Sequence, residues 1–188
     1  MSGLKKIMLA GEGGQGVQSV AAILSEAAYA AGKEVMYIPN FGVEQRGGVS
    51  IAFMQISDEV IGSPKFDDAD IIVALSDRAI ERVQMYVNPN TVYVYDANIS
   101  DAAKAKLPAE SDVAKLQEIA AHHIANTELH VRVFNVIIMG AVLGLTNIVS
   151  VDDVKKALDH KFQAKFEANP SLRDMNYTAL EKGISLVG

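Results

Sequence analysis

Lys5-Lys6-Ile7-Met8-Leu9-Ala10 runs directly into Gly11-Glu12-Gly13-Gly14-Gln15-Gly16, and a helical pattern follows at once. Residues 5–10 read as a short, mostly apolar strand. Val17, Val20, Ala21, Leu24, Ala28 and Ala31 fall on one face of a 3.6-residue period, and Gly32 stops the run. The order is strand, glycine turn, helix.

Outward from this unit, EVMYIP (34–39) reads as a second strand. A polar, glycine-bearing loop, NFGVEQRGG, then leads into a third strand, VSIAFMQI (49–56). A turn at Ser57 to Glu59 predicts a hairpin toward Val60 and Ile61. DIIVAL (70–75) is a continuous apolar run of strand length, as a strand buried on both faces requires. Ser76 or Asp77 caps a helix reaching about Tyr86, and after the turn at Asn88, Pro89 and Asn90 the stretch TVYVYD (91–96) returns as a strand. The first half thus reads β-α-β-β-β-α-β, which predicts a three-layer, Rossmann-like α/β fold with a mainly parallel sheet. From Asp101 the periodicity is helical, over about 112–126, 134–145, 151–160 and 171–185. No Pro/Gly/Ser-rich break stands near residue 100, so these helices are expected to pack on the sheet and residues 1–188 to form a single domain.

Composition narrows the function. Hydrophobic residues make up 49% of the 188 and charged residues 21%, which excludes a disordered or collagenous chain. Seventeen basic residues against 23 acidic ones give a net charge of −6, so nucleic acid is not an expected partner. The chain has no cysteine, which removes disulfides, thiolate-ligated zinc, iron-sulfur clusters and thiol nucleophiles together. Lys5 and Lys6 precede only Ile7 to Ala10 before glycine intervenes, too short for the h-region of a signal peptide, and a cytoplasmic location is expected. The longest apolar stretch, Val136 to Leu145, would span about 15 Å as a helix, half of a hydrocarbon core, so no membrane span is expected.

Two loops carry the candidate chemistry. Gly11, Gly13 and Gly16 match G-x-G-x-x-G between a predicted strand and a predicted helix, where close backbone approach and free helix N–H groups suit an anion. A dinucleotide site also needs an acidic residue about 20 positions on. Met36 to Asn40 occupy that region instead. The missing carboxylate counts against NAD, and the glycine turn either binds an anionic ligand or serves strand-to-helix packing or a neighbouring subunit. The second loop holds Glu44, Arg46, Gly47 and Gly48. In an open parallel sheet, loops at the strands' carboxyl ends share one rim, which brings this segment to the glycine turn. Arg46 beside two glycines suits a phosphate, a carboxylate or a partner's acidic side chain; alternatively it is a solvated loop arginine.

His122, His123, His130 and His160 form no metal-spaced set and read as boundary histidines, with Leu116 and His123 on one helical face. Asp67, Asp68 and Asp70 read as a solvated acidic entry to a strand. No nucleophile elbow or P-loop is present, and no catalytic residue or metal ligand is assigned. The helix FNVIIMGAVLGL (134–145) is apolar all round and must be buried. Gly140 and Gly144 make a smooth strip for another helix, within the chain or across an interface, and Asn135 needs a polar partner.

GEGGQGV followed by an alanine-rich helix, then FGVEQRGG, ISDEVIGSP and DADIIVAL, and later FNVIIMGAVLG with the closing helix containing Asn176 and Gly183, resemble the gamma subunit of the 2-oxoacid:ferredoxin oxidoreductases over almost the whole chain. ISDEVIGSP is more similar to the 2-oxoglutarate and branched-chain members than to the pyruvate ones. The resemblance implies a complex that oxidatively decarboxylates a 2-oxoacid with CoA to an acyl-CoA and reduces ferredoxin. It implies alpha and beta, and in some members delta, companions that hold thiamine diphosphate, Mg2+ and iron-sulfur clusters. This chain would bind no cofactor alone, and Gly11, Gly13, Gly14, Gln15, Gly16, Glu44, Arg46, Gly47 and Gly48 would contact CoA. The alternatives are a free-standing α/β module that binds CoA or a nucleotide, and a subunit whose glycine loop touches only protein.

Overall fold

Ile7 and Leu9 point to one side of the first strand and Met8 and Ala10 to the other, and all four are fully buried, so β1 (Lys5–Glu12) needs cover on both faces. The computed structural model describes residues 3–41 and 48–188. The other strands are β2 (Glu34–Phe41), β3 (Val49–Ser57), β4 (Ile71–Ala74), β5 (Val92–Asp96) and β6 (Lys115–Ile119), in the sheet order β2-β3-β1-β4-β5-β6. β1, β4, β5 and β6 pair in parallel. β3 pairs antiparallel with both β1 and β2, so it alone runs against the other five.

Helices cover both faces, which makes the three layers. α1 (Val17–Ala30), α4 (Ala121–Thr127), α5 (Phe134–Thr146), α6 (Val151–Ala168) and α7 (Pro170–Ser185) share a core with Ile7 and Leu9. α2 (Asp77–Val83) and the short α3 (Asp101–Lys104) share the second core, with Met8, Ala10 and the fully buried Tyr93. Ser76, Ser100 and Ser150 cap α2, α3 and α6 through hydroxyls that accept from Ala79, Ala103 and Asp153 N–H groups.

Two expectations need correction. Val60 and Ile61 form no strand: β3 already has β2 on one edge and β1 on the other, so no edge remains for a hairpin return. The span 112–126 is not one helix. Lys115–Ile119 is strand β6, and α4 begins only at Ala121, so Leu116 and His123 share no helical face. β6 is an edge strand with polar residues on its outer positions, and pairing with β5 overrides the apparent helical period. The third predicted helix also extends further, to Ala168, with a non-helical break at Phe162.

α5 is buried along nearly its whole length, as its composition demands. The helix it meets at Gly140 and Gly144 is α7 of the same chain. A Cβ at Gly140 would strike the carbonyl oxygen of Leu180, and one at Gly183 would strike that of Ile137. The two backbones touch, and no rotamer choice relieves an added methyl there. Gly183→Ala should therefore lower stability by about 3 kcal/mol, read as a lower midpoint in urea denaturation with the slope unchanged.

Candidate functional site at the carboxyl edge of the sheet

From β1 the chain crosses by α1 toward β2, and from β4 it crosses by α2 toward β5 on the opposite side. The gap between the carboxyl ends of β1 and β4 is therefore the point where the winding reverses, the usual place for a ligand in an open α/β sheet. The glycine turn occupies it.

Gln15 shapes that turn. Its Oε1 accepts from the Glu12 N–H at 2.6 Å, and its Nε2 donates to the Leu75 carbonyl at 2.8 Å, spanning β1 to the residue after β4. Gly11 leaves room for this amide: a Cβ at Gly11 would stand 2.6 Å from Gln15 Oε1 and 2.9 Å from Val17 Cγ2. Gly16 is the N-cap of α1 at φ 75°, and its missing side chain admits Asn135, whose Cβ would lie 2.8 Å from one at Gly16. Gly14, at φ 98°, faces open space. Among the described residues no side chain caps α1, and its first turn carries no acid. The positive end of the helix dipole is thus available to an anion.

The described ends of the second loop adjoin this turn. Gly11 pairs with Ser50 and Glu12 with Val49, while Phe41 pairs with Ser50 from the other side. Phe41 and Gly48, the described ends of the loop, therefore stand at the same edge as Gly11 to Gly16. Glu44, Arg46 and Gly47 lie outside the described residues. Below this junction Gln18 Nε2 donates to Ser50 Oγ at 2.7 Å and to the Ile51 carbonyl at 3.0 Å, and the Tyr37 hydroxyl donates to Gln18 Oε1 at 2.5 Å. Burial pushes the Tyr37 phenol up, so it remains a donor. The sequence reading passed over Gln18 and Tyr37, because a glutamine at a helix start and a tyrosine in a strand carry no motif.

The edge continues across β4, β5 and β6. Asp77 accepts from the Ser100 N–H at 3.0 Å and from its hydroxyl at 2.6 Å, and these bonds hold its carboxyl below the usual carboxylate range. Asp96, 1% exposed at the end of β5, accepts from the Asn98 N–H at 2.9 Å and the His122 N–H at 3.0 Å. Burial pushes its carboxyl up against the pull of those two donors. The His122 ring meets Phe134 edge-on, one residue from Asn135. His130 Nδ1 accepts from the Arg132 N–H at 3.1 Å and His160 Nδ1 lies 2.5 Å from Glu26. Asp68 and Asp70 are not merely solvated: Asp68 pairs with the Lys6 amine at 2.5 Å, and Asp70 accepts from the Lys6 N–H at 2.8 Å. Among the described residues no three His, Asp or Glu side chains group closely enough to hold a metal ion, and no helix is long and apolar enough to cross a membrane.

The family model described as pyruvate ferredoxin/flavodoxin oxidoreductase matches residues 6–186, and the chain belongs to that family. The 2-oxoglutarate synthase subunit KorC of Methanocaldococcus jannaschii is 35% identical over 156 residues, covering 82% of this chain and 81% of that subunit. The ketoisovalerate oxidoreductase subunit VorA of Methanothermobacter thermautotrophicus is 30% identical over 180 residues, covering 95% of this chain but 35% of VorA, so the chain spans about a third of that relative. The solved 2-oxoglutarate:ferredoxin oxidoreductase of Magnetococcus marinus, with 2-oxoglutarate, coenzyme A and succinyl-CoA bound, superposes with a TM-score of 0.86 at 28% identity, covering all of this chain and 31% of the solved one.

Two substitutions test the geometry. Gln15→Leu keeps the bulk but leaves the Glu12 N–H and Leu75 carbonyl without their partner, and should cost about 2 kcal/mol of stability in urea denaturation. Asp96→Ala should cost about 2 to 3 kcal/mol at neutral pH. Because the Asp96 pKa is raised in the fold, the native state takes up its proton before the unfolded chain does as the pH falls. The group's contribution to stability therefore grows on acidification through that window. Denaturation at neutral and mildly acid pH should show the margin between wild type and Asp96→Ala widening at the lower pH.

Proposed function

We propose that the chain is the gamma subunit of a 2-oxoacid:ferredoxin oxidoreductase complex, which oxidatively decarboxylates a 2-oxoacid with CoA to an acyl-CoA and reduces ferredoxin. The observation that carries this reading is the family match over residues 6–186. With no cysteine, the chain has no thiolate for an iron-sulfur cluster, and the described residues offer no metal-binding group. The resemblance to the family assigns thiamine diphosphate, Mg2+ and the clusters to alpha, beta and, where present, delta companions, and a chain without cysteine is consistent with that division. In this reading the chain handles CoA and helps to enclose the active site.

The glycine turn supports that role. The uncapped first turn of α1 presents backbone N–H groups, and Gly14 leaves the approach open, so a phosphate oxygen of CoA can reach the backbone. Gln15 is committed to Glu12 and Leu75 and acts by holding the turn in shape. Arg46, carried on the loop whose ends adjoin the turn, would supply a fixed charge for bidentate hydrogen bonding to CoA, and Glu44, Gly47 and Gly48 of the same loop are assigned to the same contact. Among the acids named for the relatives, 2-oxoglutarate and ketoisovalerate are favoured over pyruvate, on the residues ISDEVIGSP (56–64).

In the assembled complex, Arg46→Ala should raise the KM for CoA about tenfold, the loss of one charge-assisted hydrogen bond, and leave the KM for the 2-oxoacid unchanged. An unchanged CoA KM would instead mean that the loop touches only protein. Micromolar binding of CoA by the isolated chain in a calorimetric titration would favour the free-standing module. Comparing kcat/KM for the three acids tests the substrate preference.

A further inference from the structure

A pocket of about 190 Å3 opens between the turn at Val131–Val133, the second half of α6 and the start of α7. Its floor is apolar: Phe162, Phe166, Leu172 and Met175. Arg132 and Lys165 line its rim, and none of the described residues that line it is a carboxylate. Arg132 is exposed and the Lys165 amine lies 5.5 Å over the Phe162 ring, and among the described residues neither cation pairs with a carboxylate. By contrast Lys155 and Arg173 on the same two helices pair with Glu181 and Asp159. Two cations without a carboxylate partner among the described residues thus stand beside an apolar pocket.

We infer that this pocket is a docking site for a companion subunit, which inserts one apolar side chain flanked by carboxylates that pair with Arg132 and Lys165. Size argues for a side chain, since the pocket is smaller than the ~300–1,000 Å3 of small-molecule sites. Buried apolar anchors within a polar, charged rim are the usual construction of a protein interface. Position argues for a companion of the same complex. Arg132 and Val133 lead directly into α5, whose Asn135 packs on Gly16, so a chain seated here stands next to the glycine turn. The inference rests on the subunit reading above and goes beyond it by naming the surface and the chemistry of the partner.

The test is reconstitution of the full chain with its companion subunits, with affinity read by sedimentation velocity. Arg132→Glu combined with Lys165→Glu, both at exposed positions, should weaken assembly about tenfold or more. A control of equal charge change away from the pocket, Arg82→Glu on α2 with Lys115→Glu on β6, should assemble as the wild type does. Wild-type affinity in the Arg132/Lys165 variant overturns the inference, as does an equal loss in the control. Self-association of the wild-type chain alone that the Arg132/Lys165 variant abolishes also overturns it, in favour of a second copy. Failure of the wild-type chain itself to assemble would remove the subunit reading, an outcome the variants cannot mimic.

Discussion

The carboxyl end of β1 is held open by one side chain, the amide of Gln15, which joins the turn after β1 to the residue after β4. A parallel sheet has no covalent connection at this junction, because the chain leaves β1 in one direction and β4 in the other. Backbone groups at such a junction are stranded unless something spans it. Gln15 satisfies a donor on one side and an acceptor on the other, and Gly11 can only be glycine while that amide lies against it. The start of α1 is then fixed relative to the sheet.

The second support comes from the far side of the molecule. Gly16 and Asn135 approach so closely that the position of α5 sets the position of the α1 N-terminus. α5 is in turn held by direct backbone contact with α7 through Gly140 and Gly183. The C-terminal helices are thus not an appendage to the sheet: through α5 they press on the same turn that Gln15 spans.

Much of this was legible in the sequence because the signals were strong and local. The apolar run from Lys5 into glycine, the continuous 70–75 strand and the all-apolar helix at 134–145 have a single sensible reading each, and the chain folds accordingly. The misreadings share a cause. Residues 115–119 have a weak period and become a strand only because β5 offers an edge, while Val60 and Ile61 have strand-like side chains but find both edges of the preceding strand, β3, already taken. Both outcomes depend on sheet order, which no window of sequence contains. For the site, Gly11 and Gly16 announced themselves as a motif. Asn135 stood out only as a polar residue in an apolar helix, and nothing local marked Gln18 or Tyr37 as the ties beneath the loop.

The insertion of β3 also explains why a glycine fingerprint appears here without its customary acid. In a dinucleotide fold the second strand lies beside the first, and a carboxylate at its end reaches the ribose. Here β3 runs antiparallel between β1 and β2, which moves the end of β2 about 5 Å further away, one strand spacing. A carboxylate at Asn40 or Phe41 would serve a ligand on α1 poorly. What β3 brings instead is its own start, so that the loop from Phe41 to Gly48 must end beside Gly11 and Glu12. An antiparallel strand at this place exchanges a ribose-binding carboxylate for a glycine-rich loop carrying Arg46. The same backbone turn thereby lacks, at the end of the neighbouring strand, the carboxylate that a dinucleotide's ribose requires.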